Sequence, residues 1–293
     1  MINGIIPAVL TPFTIEGRIN EASLRKYVDF LIEKGVHGLF PLGTNGLGPL
    51  LSADERSLAA RIIVEQTDHR VPVIIHTGSI STEESIQLTK EAEKMGADAA
   101  AVVAPWYFPH DDASLEMHFS AVAEAAPDLP LYLYNIPSNA KNDLKPSLVK
   151  KLAMRHSNIK GVKDSSKDLT KLQEYVAALG PGYKVVVGTD ALVVPAMLMG
   201  ASGVVTAVGN CFPEVMVELY HAYRSGNIEK AKSAQYKAIK VRDALKVGPY
   251  ITPYMEALKL RGLDIGYVKS PIRAMTNEEK SELSLNLLKL GLI

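Results

Sequence analysis

Eight short apolar runs alternate along the chain with longer segments that have helical spacing. Continuous apolar runs of this length are typical of parallel strands buried on both faces. Eight such strands joined by helices predict an α/β fold, a closed (β/α)8 TIM barrel. The predicted strands are Ile5–Leu10, Gly38–Pro41, Val73–His76, Ala99–Val103, Leu131–Tyr134, Ile159–Lys163, Val185–Val187 and Gly203–Thr206.

Capping residues mark several of the intervening helices. Ser52 with Glu55 three residues later has the pattern of a capping box. Ser81 begins a second helix in the same way, and the Asp111–Asp112 pair caps a third. The helices predicted between strands include Glu21–Glu33, Leu58–Val64, Ser81–Met95 and Ser114–Ala126.

The pattern changes after the last apolar run, because residues 213–293 contain helical spacing and no strand signal. We therefore predict a barrel over residues 1–212 and C-terminal helices over 213–293 that pack on it, the two forming one structural unit. The predicted helices are Pro213–Arg224, Ile228–Val247, Tyr250–Arg261 and Asn277–Leu290.

A doubly wound open sheet is the alternative fold for this alternation. Such sheets usually have a glycine-rich turn after the first strand. Here the first strand is followed by TPFTIEGRIN, which has no such turn. The barrel is therefore the better prediction.

Composition narrows the classes of partner. The chain has 32 basic and 32 acidic residues, which disfavours a nucleic-acid or membrane partner held by bulk charge. A local positive site for a small anion stays possible. Cys211 is the single cysteine, and no apolar stretch is long enough to span a bilayer. The N-terminus has no basic leader. We expect a cytoplasmic protein.

In a TIM barrel the reactive groups lie at the C-terminal ends of the strands. Lys163 ends the predicted sixth strand. Apolar surroundings lower the pKa of a lysine, and its neutral amine is the nucleophile that forms an imine with a ketone. The alternative is a strand-end lysine that extends to solvent. Lys160, which points the other way, fits that description.

Tyr134 ends the neighbouring predicted strand, so its phenol can approach the Lys163 amine. A phenol in that position can relay protons during C–C bond cleavage. The alternative is a rim tyrosine whose hydroxyl is satisfied structurally. Tyr132 is expected to point elsewhere.

The loop GTNG, residues 43–46, offers backbone N–H groups, the Thr44 hydroxyl and the Asn45 amide. These donors suit a carboxylate. A tight turn before the Ser52 cap is the alternative interpretation. The seven histidines show no metal-ligand spacing, so no metal site is predicted.

Taken together, GTNGLGP, PWYFP, LYLYNIPS, GVKDSS and GASGVVTAVGN resemble the dihydrodipicolinate synthase/N-acetylneuraminate lyase superfamily over nearly the whole chain. The resemblance implies a Schiff-base mechanism on pyruvate or another 2-keto acid, without an added cofactor. It implies that Lys163 forms the imine and that Tyr134 transfers protons. It also implies a homotetramer built from tight dimers.

The resemblance implies further site residues. Thr44 and Asn45 stand where the family binds the pyruvyl carboxylate and continues the proton relay, and Gly46 beside them is expected to bind substrate. Tyr107 stands where several members lend a tyrosine to the neighbouring subunit's site. The rest of the pocket is expected from Gly188, Asp190 and Val205.

Departures from the family patterns separate its branches. Dihydrodipicolinate synthases carry an arginine that binds a second carboxylate, and this chain has Asn139 there. A neutral amide cannot replace a bidentate guanidinium. Sialic-acid lyases have an acidic residue where Ala191 follows Asp190. His110 replaces an arginine used for 6-phosphate recognition.

Among the branches of the superfamily, the residues of these motifs most resemble those of the 2-keto-3-deoxygluconate aldolases. These cleave 2-keto-3-deoxy sugar acids to pyruvate and an aldehyde, and a 2-keto acid and an aldehyde are the expected partners. Three alternatives stay open: a dihydrodipicolinate synthase, a sugar-acid dehydratase that uses the same imine, and a binding protein without turnover.

Overall fold

The computed structural model describes residues 2–293, and seven parallel strands form its sheet in the order β1-β7-β6-β5-β4-β3-β2. All neighbouring strands pair in parallel. The predicted parallel α/β fold is therefore confirmed. The strands are β1 (Gly4–Pro7), β2 (Ile74–His76), β3 (Ala99–Val103), β4 (Leu131–Asn135), β5 (Ile159–Asp164), β6 (Lys184–Val187) and β7 (Gly203–Thr206).

Residues 38–41 occupy the gap between the two edge strands of this sheet. The Phe40 N–H donates to the Pro7 carbonyl of β1 at 2.9 Å. On the other side, the Ile74 N–H of β2 donates to the Leu39 carbonyl at 2.8 Å. The segment is thus hydrogen-bonded to both edges and joins them into a ring.

The prediction of a regular strand at Gly38–Pro41 is nevertheless wrong, because this segment makes only one isolated bridge. Pro7, Pro41 and Pro72 lie in it or beside it and have no N–H to donate to a ladder. Pro7 also ends β1 earlier than the predicted Leu10. The eighth member of the ring is therefore an irregular segment.

Helices connect the strands, and each longer one buries one face. Ser52 and Glu55 form the predicted capping box. Ser81 accepts a hydrogen bond from the Glu84 N–H, and Asp111 caps its helix as predicted. The helices are α1 (Glu21–Glu33), α2 (Ala53–Thr67), α3 (Thr82–Lys94), α4 (Asp112–Ala125), α5 (Pro137–Ala140), α6 (Pro146–Arg155), α7 (Leu169–Leu179) and α8 (Val193–Leu198).

After β7 the chain forms α9 (Pro213–Arg224), α10 (Ile228–Ala244), α11 (Thr252–Leu260) and α12 (Asn277–Lys289). Helix α10 returns to the segment after β6. The Gln235 amide donates to the Asp190 carbonyl at 2.8 Å and accepts from the Val194 N–H at 2.9 Å. These bonds tie the C-terminal helices to the strand end beside the site. The predicted boundary at residue 212 stays a prediction.

The longest helix, α10, has 17 residues. Within residues 2–293 there is no helix with both the length and the apolar character needed to cross a membrane.

Candidate active site

Lys163 and Tyr134 are register partners at the C-terminal ends of β5 and β4. Lys163 is only 4 % exposed. Its Nζ lies 3.8 Å from the centre of the Tyr134 ring and 4.0 Å from that of Phe40. Within the described chain, no carboxylate forms an ion pair with this amine. The lysine is held between two aromatic faces.

Burial lowers the pKa of Lys163, and the neighbouring Tyr134 partly opposes this effect. Desolvation disfavours the ammonium form because the aromatic walls replace water poorly. A larger share of the side chain is then the neutral amine near neutral pH. That amine is the form that attacks a carbonyl carbon.

Behind this pair, Asn135 and Asp164 fix the same two strand ends. They are the next register partners, and the Asn135 amide donates to the Asp164 carboxylate at 2.9 Å. Ser166 donates to the other carboxylate oxygen at 2.7 Å. The Asn135 oxygen accepts from the Leu144 N–H at 3.0 Å. Fully bonded buried groups of this kind hold the reactive side chains in one geometry.

The Tyr134 hydroxyl lies 3.3 Å from the Thr44 hydroxyl, and either can donate. This contact connects the Tyr134 phenol, whose ring lies against the Lys163 amine, to the 43–46 loop. Tyr132 behaves as expected from the sequence. Its hydroxyl accepts from the Ile2 N–H at 3.3 Å, at the opposite end of the strands.

The 43–46 loop combines free donors with tight packing. Within residues 2–293, the N–H groups of Thr44 and Asn45 make no hydrogen bond. Gly46 serves packing, because a Cβ there would lie 2.8 Å from the Val9 carbonyl oxygen and 2.7 Å from the Leu42 nitrogen. The loop therefore keeps donors available for a carboxylate.

A cavity of about 210 Å³, called the main cavity below, opens at the ends of these strands. Six of the predicted site residues line it: Thr44, Asn45, Tyr134, Lys163, Gly188 and Val205. A second cavity of about 180 Å³ adjoins it and shares Thr44, Tyr134, Ile136 and Asn139. Tyr134 therefore lines both volumes.

Gly46 and Asp190 do not line either cavity. Asp190 is buried, and one carboxylate oxygen accepts from the N–H groups of Ala207 and Val208 at 3.2 and 3.1 Å. It thereby fixes the turn after β7. Its neighbour Thr189 lines the main cavity instead.

Tyr107 lies outside both cavities of its own chain. It is 74 % exposed, and its ring stacks edge-on against Phe108 at 4.9 Å. Its φ of +80° is a conformation that non-glycine residues rarely adopt. Strained backbone of this kind is frequent at functional sites. The implied role for Tyr107 in a neighbouring subunit stays a prediction.

Several residues of the site were not singled out from the sequence. Phe40 packs against the Lys163 amine, and Tyr250 and Lys167 line the main cavity. His76 lines the second cavity. Phe40 and His76 belong to the apolar runs Gly38–Pro41 and Val73–His76, so the strand-end rule could have found them.

His76 is buried, and its Nδ1 lies 3.1 Å from the Leu42 carbonyl oxygen. Burial lowers the pKa of His76 well below its ordinary value, so the ring is neutral at neutral pH. Across residues 2–293, no cluster of three or more His, Cys, Asp or Glu side chains is placed to hold a metal ion.

Known proteins with similar sequences are dihydrodipicolinate synthases and similar lyases. The model of the dihydrodipicolinate synthetase family matches residues 1–289. A 4-hydroxy-tetrahydrodipicolinate synthase of Methanopyrus kandleri is 38 % identical over 293 residues, covering 100 % of this chain and 97 % of that protein. An uncharacterized DapA-like lyase of Halobacterium salinarum is also 38 % identical, covering 100 % of this chain and 95 % of that protein.

Solved structures agree with these matches. The crystal structure of YagE, an Escherichia coli K12 prophage protein of the dihydrodipicolinic acid synthase family in complex with pyruvate, superimposes with a TM-score of 0.96. It is 34 % identical, and the match covers 100 % of both chains. The chain belongs to the dihydrodipicolinate synthetase family.

Proposed function

We propose that this protein is a class I aldolase that cleaves or forms 2-keto-3-deoxy sugar acids, with a substrate resembling 2-keto-3-deoxygluconate. The observation that carries the proposal is the buried Lys163 amine, paired with the Tyr134 phenol at the mouth of a cavity. A lysine without a carboxylate partner in an aromatic pocket suits imine formation better than charge pairing. The imine supplies the electron sink, and no added cofactor is proposed.

The first step joins substrate and enzyme. The neutral Lys163 amine attacks the C2 ketone, and the carbinolamine loses water to give a protonated imine. Tyr134 can donate the proton that the departing hydroxyl needs, and the Thr44 hydroxyl, 3.3 Å away, can donate a hydrogen bond to the resulting phenolate. The free N–H groups of Thr44 and Asn45 can donate hydrogen bonds to the C1 carboxylate.

The second step breaks the C3–C4 bond. Tyr134, as its phenolate, takes the C4 hydroxyl proton, and the bond's electrons move into the imine to form an enamine. The C4 aldehyde leaves, and Tyr134 returns the proton to C3 of the enamine. Water then hydrolyses the protonated imine to pyruvate and neutral Lys163, and the proton that is released returns to the Tyr134 phenolate. Synthesis is the same sequence in reverse.

Asn139 supports a sugar acid over a substrate with a second carboxylate. It lines both cavities and is neutral, and Ser138 donates to its side-chain oxygen at 2.9 Å. An amide can bind hydroxyl groups but lacks the paired charge of a guanidinium. Ser165 and Thr189 add further neutral hydroxyl groups to the wall of the main cavity.

A 4-hydroxy-tetrahydrodipicolinate synthase is a second candidate, because relatives at 38 % and 36 % identity carry that name. It shares the pyruvate imine and differs in the aldehyde that is condensed. Lys167 at the cavity is the cation that could receive a carboxylate in this case. A dehydratase would share the imine but expel water in place of an aldehyde.

Two experiments test these proposals. Borohydride reduction in the presence of pyruvate should add the mass of a reduced pyruvyl imine to the Lys163 peptide, and an unmodified Lys163 would overturn the mechanism. NMR of the products from 2-keto-3-deoxygluconate should show pyruvate and glyceraldehyde. A dehydrated keto acid would identify a dehydratase, and turnover only with pyruvate and aspartate semialdehyde would identify the synthase.

We also propose that the protein assembles as a homotetramer of tight dimers in which Tyr107 reaches the neighbouring subunit's site. The exposed, positive-φ geometry of Tyr107 supports this arrangement. Sedimentation velocity of the purified protein tests the assembly.

A further inference from the structure

Tyr250 is the residue of the C-terminal segment 213–293 that lines the main cavity. It precedes α11, and its hydroxyl donates to the Asn45 side-chain oxygen at 3.1 Å across 205 residues of sequence. Asn45 lies in the loop that offers the carboxylate donors. The contact therefore connects the C-terminal helices directly to the substrate-binding loop.

The direction of this hydrogen bond fixes the Asn45 amide. Because the amide oxygen accepts from Tyr250, the Asn45 nitrogen keeps its two N–H donors for a ligand. Desolvation and the nearby Tyr134 raise the pKa of Tyr250 to about 12, so the phenol stays protonated at neutral pH. Its oxygen keeps lone pairs that can accept a further hydrogen bond.

The pair thus presents a donor and an acceptor side by side. An alcohol satisfies both, since a hydroxyl group donates and accepts. A carboxylate only accepts, and it would face the lone pairs of the Tyr250 oxygen. An alkyl chain would leave the Asn45 N–H groups and the remaining lone pairs of the Tyr250 oxygen without a ligand partner, which costs binding free energy. Specificity can therefore arise from groups that a wrong substrate leaves unpaired.

We propose that Asn45 and Tyr250 form a hydroxyl-selecting pair, in which Tyr250 orients the Asn45 amide and both bind the hydroxylated part of the aldehyde substrate. The inference rests on the proposed aldolase function and names the feature of the substrate that the site recognises. Tyr250 is a specificity residue here, and it takes no part in imine formation at Lys163.

The test compares two aldehydes in condensation with pyruvate: glyceraldehyde and propanal, which lacks the hydroxyl groups. Tyr250→Phe keeps the ring and removes the hydroxyl. It should lower kcat/KM for glyceraldehyde by about fivefold to tenfold, the scale of one hydrogen bond. The kcat/KM for propanal should change by less than about twofold, since propanal has no hydroxyl group to bind. Tyr236→Phe, another exposed tyrosine outside the cavities, is the matched control.

The Asn45→Thr variant and the Asn45→Thr/Tyr250→Phe double variant complete the test. If the residues act as a pair, the second substitution should have little further effect on the glyceraldehyde preference once the first is made. Equal losses for both aldehydes in Tyr250→Phe, or fully additive effects, would overturn the inference while borohydride reduction at Lys163 still supports imine chemistry. A wild-type protein that shows no reduced adduct would overturn the proposed function and the inference with it.

Discussion

Tyr134 and Lys163 face each other across two paired strands, with the lysine Nζ 3.8 Å from the centre of the tyrosine ring. This arrangement places the proton-transfer group and the amine on neighbouring strand ends without a mobile loop between them. Sites on rigid elements hold reactive groups more tightly than sites on loops. The proposed chemistry can therefore be tested by single substitutions that leave the strands unchanged.

Removal of the amine should abolish imine formation. We expect Lys163→Ala to give no pyruvate adduct after borohydride treatment and to lower turnover by roughly 10⁴-fold to 10⁶-fold, as for other covalent nucleophiles. Lys160→Ala on the same strand is the matched control, and this variant should keep both the pyruvate adduct and normal turnover. Mass spectrometry of the peptide that contains residue 163 measures the adduct. A normal yield of trapped pyruvate adduct from Lys163→Ala would show that the imine forms at another residue.

Removal of the phenol hydroxyl should slow the proton transfers. Tyr134→Phe keeps the ring beside Lys163 and loses the contact with Thr44. We expect kcat to fall by about 10²-fold to 10⁴-fold while reduced pyruvate adduct still forms. Stopped-flow kinetics with 2-keto-3-deoxygluconate measures the loss. An unchanged kcat would assign the proton transfer to another group.

The pH dependence of imine trapping follows from the burial of Lys163. Its pKa is lowered from the ordinary value of 10.5, and only the neutral amine reacts. The trapping rate should therefore fall as the pH decreases through the lowered pKa. Its midpoint should lie below pH 10.5. A midpoint at or above that value, measured by borohydride trapping at fixed pyruvate, would contradict a desolvated amine.

Tyr107 should matter for turnover although it lies outside the cavities of its own chain. We expect Tyr107→Phe to lower kcat by about tenfold or more if its hydroxyl reaches a neighbouring subunit's proton relay. Tyr236→Phe serves as the exposed-tyrosine control. Unchanged turnover in an assembled tetramer would assign Tyr107 no role in the reaction.

The sequence predicts much of this site because strand ends in a parallel sheet converge. Lys163, Tyr134, Gly188 and Val205 were expected from that rule alone or from the family resemblance, and all four line the cavity. Hydrophobic runs reveal such strands since both faces are buried. The sequence alone does not distinguish the irregular segment 38–41 from a strand. A proline interrupts a strand ladder only where its missing N–H would have paired with a neighbouring strand, and the sequence does not show which strands are neighbours.

Long-range contacts explain what the sequence did not reveal. Tyr250 reaches Asn45 from a loop 205 residues away, and no spacing rule links them. Thr189 and Asp190 differ by one position after β6, and the direction of the turn decides which one faces the cavity. Local patterns carry no information about either arrangement, since tertiary packing determines both.

Thr189 and Asp190 should therefore separate substrate binding from stability. Asp190→Ala leaves the N–H groups of Ala207 and Val208 without their acceptor, so we expect the free energy of unfolding to fall by about 1–3 kcal/mol. Thr189→Ala should raise KM for the sugar acid with little change in stability, since Thr189 lines the main cavity. Urea unfolding and steady-state kinetics measure the two effects. If Asp190→Ala is fully stable and shows only a raised KM, the aspartate contacts substrate, as the family resemblance implies, and the structural role assigned to it here is wrong.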